Sequence, residues 1–117
     1  MAGSFCTFAL AAAVLAFASP VAEAARDNDY PTTAIADYVF GCMGANGQTR
    51  EALEKCSCSI DLIASILPYD RYVTAETVLQ MRGVGGEKGA IFRSEAGMVE
   101  VVAELRRAQA ESEMRCF

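Results

Sequence analysis

The apolar positions after residue 30 recur at steps of three and four, which is the spacing of a buried stripe on an α-helix. Strand-like alternation is nearly absent, so the pattern predicts an all-α fold with four helices. Residues 25–30 are polar and are expected to be frayed. Pro31 suits the first turn of the first helix, and Ile35, Tyr38 and Cys42 lie on its predicted buried side.

The second predicted helix, over residues 50–67, follows turn residues 44–48 and is expected to be capped by Thr49. It carries apolar side chains on two nearly opposite sides. One stripe contains Leu53, Cys56, Ile60, Ile63, Ala64 and Leu67, and the other contains Cys58, Leu62 and Ile66. A helix that is apolar on two faces predicts a central element covered by neighbours on both sides.

The third predicted helix begins after Pro68, ends at Arg82, and is expected to be capped by Asp70 or Thr74. Residues 83–89 then contain four glycines among seven residues. Each glycine costs about 1 kcal/mol in a helix relative to alanine, so this segment is predicted to be a mobile loop.

The fourth predicted helix opens at Ser94 and Glu95 and carries an apolar side and a charged side. Its apolar side is expected to hold Met98, Val102, Leu105, Ser112 and Cys116. The last of these residues places a cysteine beside the predicted core.

The first 24 residues are typical of a signal peptide. An uncharged apolar run from Phe5 to Phe17 is followed by Pro20 and then by Ala22-Glu23-Ala24, whose small-x-small spacing a signal peptidase accepts. Cleavage there would leave residues 25–117 as one helical domain, periplasmic or secreted. The alternative is a membrane anchor, but the run is shorter than the roughly 20 residues that cross a bilayer, so no membrane association is expected after cleavage.

The charge and composition of the chain narrow the range of functions. The net charge is −5 with no cluster of basic residues, so the sequence offers no electrostatic reason to bind nucleic acid. The chain has no histidine, which removes the Ser-His-Asp and Cys-His mechanisms and the commonest general base. The carboxylates Asp61, Glu76, Glu87 and Glu95 are interpreted as surface and capping residues, and no catalytic residue is predicted.

Four cysteines, Cys42, Cys56, Cys58 and Cys116, follow the leader, and an even set in an exported chain predicts disulfides. Cys56 and Cys58 diverge by about 200° on a helix, so each needs a different partner. Cys42 and Cys56 lie at equal distances in sequence from Thr49, which favours Cys42–Cys56 and leaves Cys58–Cys116. The swapped pairing, Cys42–Cys58 with Cys56–Cys116, stays open because spacing alone does not fix connectivity.

Other uses of the cysteines are weaker interpretations. A zinc site would normally present two close cysteine pairs, whereas this chain has one C-x-C and two distant single cysteines. Cys-Ser-Cys near Met43 would suit cuprous ion better than zinc, but methionines at helical spacing are more often core residues than metal ligands. Thiol redox catalysis prefers a C-x-x-C motif, which is absent, and c-type haem attachment needs a histidine. No metal or cofactor is therefore predicted.

Three short blocks carry a resemblance to a known group of proteins. They are Asp37-Tyr38-Val39-Phe40-Gly41-Cys42-Met43, Cys56-Ser57-Cys58 and Ile66-Leu67-Pro68-Tyr69. Over residues 35–82 the chain resembles small exported helical proteins that include HdeA-type acid-stress chaperones and type VI secretion immunity proteins. The resemblance implies a disulfide-linked helical fold, although the four cysteines depart from the single-disulfide chaperone pattern. The block also resembles accessory proteins of periplasmic quinoprotein dehydrogenase systems.

The function predicted from these observations is that of a non-enzymatic periplasmic protein that binds another protein, of an accessory or immunity type. The alternatives are an accessory role in a quinoprotein dehydrogenase or other redox system, and acid-stress chaperone activity. The candidate partner-binding residues are the glycine segment with its apolar exit and the tyrosines after the proline break, because aromatic and arginine side chains are enriched at interfaces. They are Tyr69, Tyr72, Gly85, Gly86, Lys88, Ile91, Phe92 and Arg93.

Overall fold

The computed structural model describes residues 28–117, and the predicted signal peptide lies outside the described residues. These residues form five helices and contain no strand: α1 (Thr32–Asn46), α2 (Arg50–Ile66), α3 (Tyr69–Arg82), α4 (Gly86–Ser94) and α5 (Ala96–Cys116). The all-α prediction is confirmed. The expected number of four helices is wrong, because the segment predicted to be a loop contains α4.

Two helix starts follow the local signals in the sequence. The Thr49 hydroxyl accepts a hydrogen bond from the backbone N–H of Ala52 at 3.0 Å, which caps α2 as predicted. The Glu95 carboxylate accepts one from the N–H of Met98 at 3.0 Å and caps α5, whereas Ser94 is the last residue of α4. These caps hold the two longest helices in place at their N-terminal ends.

The start of α3 differs from the prediction. Neither Asp70 nor Thr74 caps it, and the Thr74 hydroxyl instead donates to the Asp70 carbonyl. The backbone N–H of Tyr69 donates to the carboxylate of Asp29, with a distance of 3.1 Å to Oδ2. The cap therefore comes from a residue far away in sequence, which local reasoning does not consider.

The glycine segment is the second correction. Gly85 is the N-cap of α4, and Gly86 and Lys88 lie inside that helix, with Gly86 at a positive φ of 77° where glycine is favoured. Two hydrogen bonds fasten α4 to the end of α3. Arg82 Nε donates to the Phe92 carbonyl at 2.9 Å, and Arg93 Nη1 donates to the Arg82 carbonyl at 2.8 Å.

The core lies where α5 packs against α2 on one side and α3 on the other, while α1 packs mainly on α2 and α4 covers α3 and α5. Its buried members are Tyr30, Ile60, Ile63, Ala64, Leu67, Ala75, Val78, Val101, Val102, Leu105 and Ala108. The prediction that α2 has neighbours on two sides is confirmed, since α1 and α5 both pack on it, but its second apolar stripe is only partly covered. Cys58 is exposed, Leu62 is half-buried, and Ile66 keeps 49% of its surface exposed.

Tyr30 corrects the expectation that residues 25–30 are frayed for the described part of that segment, since residues 25–27 lie outside the described residues. Only 2% of its surface is exposed, and its hydroxyl donates to the Leu67 carbonyl at 2.9 Å. Its ring lies 5.1 Å from the rings of both Tyr69 and Tyr72, between centroids. Burial raises the pKa of the Tyr30 hydroxyl above its usual value. This residue anchors the chain ahead of α1 to the junction of α2 and α3.

We expect Tyr30→Phe to lower the free energy of unfolding by about 1–2 kcal/mol, because the buried Leu67 carbonyl loses its side-chain donor. Urea denaturation followed by circular dichroism measures the change. Tyr69→Phe is the matched control, since the Tyr69 hydroxyl makes no hydrogen bond within residues 28–117. An equal loss in both variants would contradict the role assigned to the Tyr30 hydroxyl.

The structure pairs Cys42 with Cys56 and Cys58 with Cys116, the arrangement that the sequence favoured. The Cα atoms are 5.8 Å apart in each pair, and the separations in sequence are 14 and 58 residues. The first bond joins α1 to α2, and the second joins α2 to the end of α5. Disulfides of this kind are consistent with an oxidising, exported location. Within residues 28–117 no helix is long and apolar enough to cross a membrane.

Candidate functional site

The main concave feature of the described chain is a groove of about 620 Å³ between α1, α3 and α5. We call it the inter-helix groove. Asp37 and Tyr38 come from α1, Tyr72 and Glu76 from α3, and Arg106 from α5. Ser59 from α2 and Ser112 from α5 also line it, and both are buried.

Three hydroxyl groups form a continuous hydrogen-bonded chain in this groove. The Tyr38 hydroxyl lies 3.0 Å from Ser59 Oγ, which lies 2.8 Å from Ser112 Oγ. The Ser112 hydroxyl donates to the Gln109 carbonyl at 2.8 Å. The two buried serines therefore satisfy each other and connect α1, α2 and α5 through polar contacts.

The direction of this chain follows from its last member. The Gln109 carbonyl oxygen can only accept, so the Ser112 hydroxyl donates its one hydrogen to it. Ser59 must then be the donor in its hydrogen bond with Ser112. Tyr38 must in turn donate to Ser59, which leaves the Tyr38 oxygen as an acceptor. Because the chain ends on a backbone carbonyl, which takes up no proton at neutral pH, neither serine is activated as a nucleophile.

Glu76 is the half-buried carboxyl group of the groove. Burial raises its pKa above the ordinary value, the nearby charge of Arg106 lowers it, and the like charge of Asp37 raises it further. The carboxylate accepts no hydrogen bond from any residue in the part of the chain that the structure describes. Burial also raises the pKa of the Tyr72 hydroxyl, and the negative charge of Glu76 raises it further.

A second surface feature lies on α1, on the side that faces away from α2. Ala36, Phe40 and Gly44 are four residues apart, so they share one face of the helix, and all three are exposed. We call this the outer face of α1. Phe40 keeps 77% of its surface exposed. Since Asp37 and Gly41 occupy the neighbouring strip of α1, the outer face borders the inter-helix groove.

The residues predicted to bind a partner do not form one surface. Tyr69 and Tyr72 are half-buried and stack near Tyr30, and Phe92 packs against the core. Ile91 remains 53% exposed on α4, where Lys88 is also exposed. Arg93 is engaged with the Arg82 carbonyl. Of this set only Tyr72 lines the inter-helix groove.

Sequence reasoning missed the inter-helix groove because its residues resemble core residues in sequence. Tyr38 lies on the predicted buried stripe of the first helix, and Ser112 on that of the last. A signal was nevertheless present. Buried serines require hydrogen-bonding partners, and serines on two apolar stripes indicate a polar contact between helices.

The inter-helix groove and the outer face of α1 have no counterpart in a matched protein of known function. No protein-family model matches the chain, and neither a curated protein nor a solved structure matches it. Residues 28–117 bring together no group of three or more histidine, cysteine, aspartate or glutamate side chains with metal-binding geometry.

Proposed function

We propose that this chain is a non-enzymatic exported protein that binds another exported protein through the outer face of α1. The observation that carries the proposal is the exposure of Phe40 on a helix with only one charged side chain, Asp37, among its 15 residues. A helix that is apolar on all sides is normally covered on all sides. Here α2 covers one side, and no residue of α1 is fully buried.

The glycines of α1 support the same interpretation. A Cβ atom added at Gly41 or Gly44 would meet nothing within 4 Å, so packing among residues 28–117 requires neither glycine. Each costs about 1 kcal/mol relative to alanine in a helix. Close approach of another backbone to α1 gives these two positions a reason to lack side chains.

The partner that fits this surface is an apolar helix flanked by at least one basic side chain. The apolar side chains would cover Phe40, and the basic one would face Asp37 at the border of the groove. A second copy of this chain fits less well, because each copy is acidic, with a net charge of −5 before and −4 after loss of Glu23 with the signal peptide, and would bring a second Asp37 to the contact.

The location proposed is the periplasm or the extracellular space, supported by the disulfides and by the signal-peptide pattern of residues 1–24. An accessory or immunity-type role, as the sequence resemblance implies, requires one stoichiometric partner. An acid-stress chaperone would instead protect many client proteins, and increasingly so on acidification. The serine hydroxyls of the groove, which end on a carbonyl, support a binding role over a catalytic one.

The test of this proposal is the substitution Phe40→Ser in the mature protein. We expect wild-type protein to capture one stoichiometric partner from the exported fraction of its host, and Phe40→Ser to weaken that binding at least about tenfold, since hot-spot aromatic residues contribute 2 kcal/mol or more. Met114→Ser is the matched control, because Met114 is 76% exposed on α5. Titration calorimetry with the purified partner measures the difference.

The substitution Ile91→Ser distinguishes the outer face of α1 from the exposed surface of α4. Loss of binding in Phe40→Ser alone supports the outer face of α1. Loss in Ile91→Ser alone would move the interface to α4, where the sequence analysis placed its candidates, and would contradict the proposal. Equal binding by all variants, or self-association of the wild type in light scattering, would also contradict it.

A further inference from the structure

Several of the hydrogen-bonding groups that line the inter-helix groove are acceptors. The Tyr38 oxygen has donated its proton to Ser59 and retains its capacity to accept. The amide nitrogen of Asn46 donates to the Cys42 carbonyl at 2.9 Å and to Cys42 Sγ at 3.6 Å, so its amide oxygen is the group left for a ligand. A ligand group that donates hydrogen bonds can therefore be accepted at this end of the groove.

The charges of the groove point to a cation. Asp37, Glu76 and Glu113 line it together with a single basic residue, Arg106. One guanidinium nitrogen of Arg106 already donates to the side-chain oxygen of Gln109 at 2.9 Å. The acidic groups therefore outnumber the one base in the lining.

The helix ends add to this negative potential. The lining includes Asn46, the last residue of α1, and Glu113 in the last turn of α5. The C-terminal end of a helix carries about half a negative charge because its last carbonyls have no partner within the helix. Two such ends meet at one side of the groove, and both favour a cation.

The aromatic lining suits an organic cation better than a metal ion. Tyr38, Tyr72 and Phe117 contribute rings to the groove, and ring faces attract ammonium and guanidinium groups. The Phe117 ring already lies 5.8 Å from the ammonium nitrogen of Lys55. The volume of about 620 Å³ lies within the range typical of sites for small organic molecules.

We infer that the inter-helix groove is a binding site for an organic cation, an ammonium or guanidinium group that pairs with Glu76 and Asp37 and donates to the Tyr38 oxygen. The cation would be either a free amine or a lysine or arginine side chain of another protein. The inference shares Asp37 with the proposed docking surface on α1, but it depends on Glu76 and the lining of the groove and not on Phe40, so the two can fail separately.

This site has a defined pH dependence. The groups that face Glu76 are Asp37 on α1, Tyr38 on α1, Tyr72 on α3 and Arg106 on α5. Burial raises the pKa of Glu76, so this group favours the folded state at low pH, and its contribution is lost as the pH rises through that pKa. A cation prefers the ionised carboxylate. Its affinity should therefore fall as the pH is lowered through the pKa of Glu76.

The experiment uses the mature protein and three probes: n-butylamine, ethylguanidine and an N-acetylated, C-amidated Gly-Lys-Gly peptide. Binding is followed by titration with NMR detection at the tyrosine resonances. We expect saturable binding of at least one probe, weakened about tenfold or more by Glu76→Gln, as is typical of a lost charge-assisted bond. Glu87→Gln is the matched control, because Glu87 is exposed on α4 and does not line the groove. Neutral 1-butanol and anionic butyrate control for the apolar part and for the charge.

The outcomes separate the sources of the cation. Binding of the free amine or guanidine identifies a small molecule as sufficient, whereas binding of the peptide alone identifies a side chain of a partner. The inference is overturned if no cation saturates, if 1-butanol or butyrate binds as well as butylamine, or if Glu76→Gln and wild type bind equally. Because glutamine has nearly the shape of glutamate, melting temperatures of both variants verify that the fold is intact. If Phe40→Ser loses partner binding but still binds the cation, the groove binds cations independently of the outer face of α1.

Discussion

Removal of the Cys58–Cys116 bond by the double substitution Cys58→Ala and Cys116→Ala is expected to lower the free energy of unfolding by about 4 kcal/mol. The bond closes a loop of 58 residues, and in the chain-entropy model a loop of that length restricts the unfolded chain by about this amount. Small domains are stabilised by only about 5–15 kcal/mol in total, so much of the stability of this protein depends on one bond.

Urea denaturation measures the loss and also reveals its origin. If the bond acts on the unfolded chain, the variant should show a steeper dependence of unfolding free energy on urea, because its unfolded state exposes more surface. Peptide mapping without reductant should find Cys58 joined to Cys116 in the wild type. A stability within about 0.5 kcal/mol of wild type would contradict the contribution expected of this bond, and a map with the swapped pairs would contradict the pairing in the structure.

The second large effect is expected at Gly89. A Cβ atom at this position would lie 1.8 Å from the Val84 carbonyl oxygen and 2.9 Å from its carbon, so α4 must move to accommodate it. Gly89→Ala should therefore lower the free energy of unfolding by about 2 kcal/mol, as overpacking does. Helix propensity alone would predict a gain of about 1 kcal/mol, so the sign of the change decides between the two effects.

Gly44→Ala is the matched control for that experiment. Gly44 is also a helical glycine, but a Cβ atom there would meet nothing within 4 Å, so this variant should be more stable by up to about 1 kcal/mol. Thermal denaturation of both variants provides the comparison. A stabilised Gly89→Ala would show that α4 does not pack closely on the turn at Val84.

Features with local causes could be predicted from the sequence. The Thr49 cap depends on residues within one helical turn, and Pro68 ends α2 through its own ring and missing N–H. The favoured cysteine pairs follow from helix geometry because Cys42 and Cys56 lie on the two arms of one hairpin. These inferences need no knowledge of distant contacts.

Features that depend on distant contacts could not be predicted. Helix propensity argued against α4, but the two arginine contacts with α3 and the close packing at Gly89 override it. The cap of α3 comes from Asp29, 40 residues earlier in the chain. The inter-helix groove belongs to the same class, since Tyr38, Ser59 and Ser112 meet only once three helices have packed.

The two disulfides also determine what a proteolytic cut would do to this chain. The Cys42–Cys56 bond joins α1 directly to α2, and the Cys58–Cys116 bond joins α2 directly to the end of α5, which closes a ring that contains α3 and α4. Hydrolysis of one peptide bond in the turn at residues 83–85 would open a ring without releasing a fragment. After a single proteolytic cut there, the chain would therefore remain one covalent molecule.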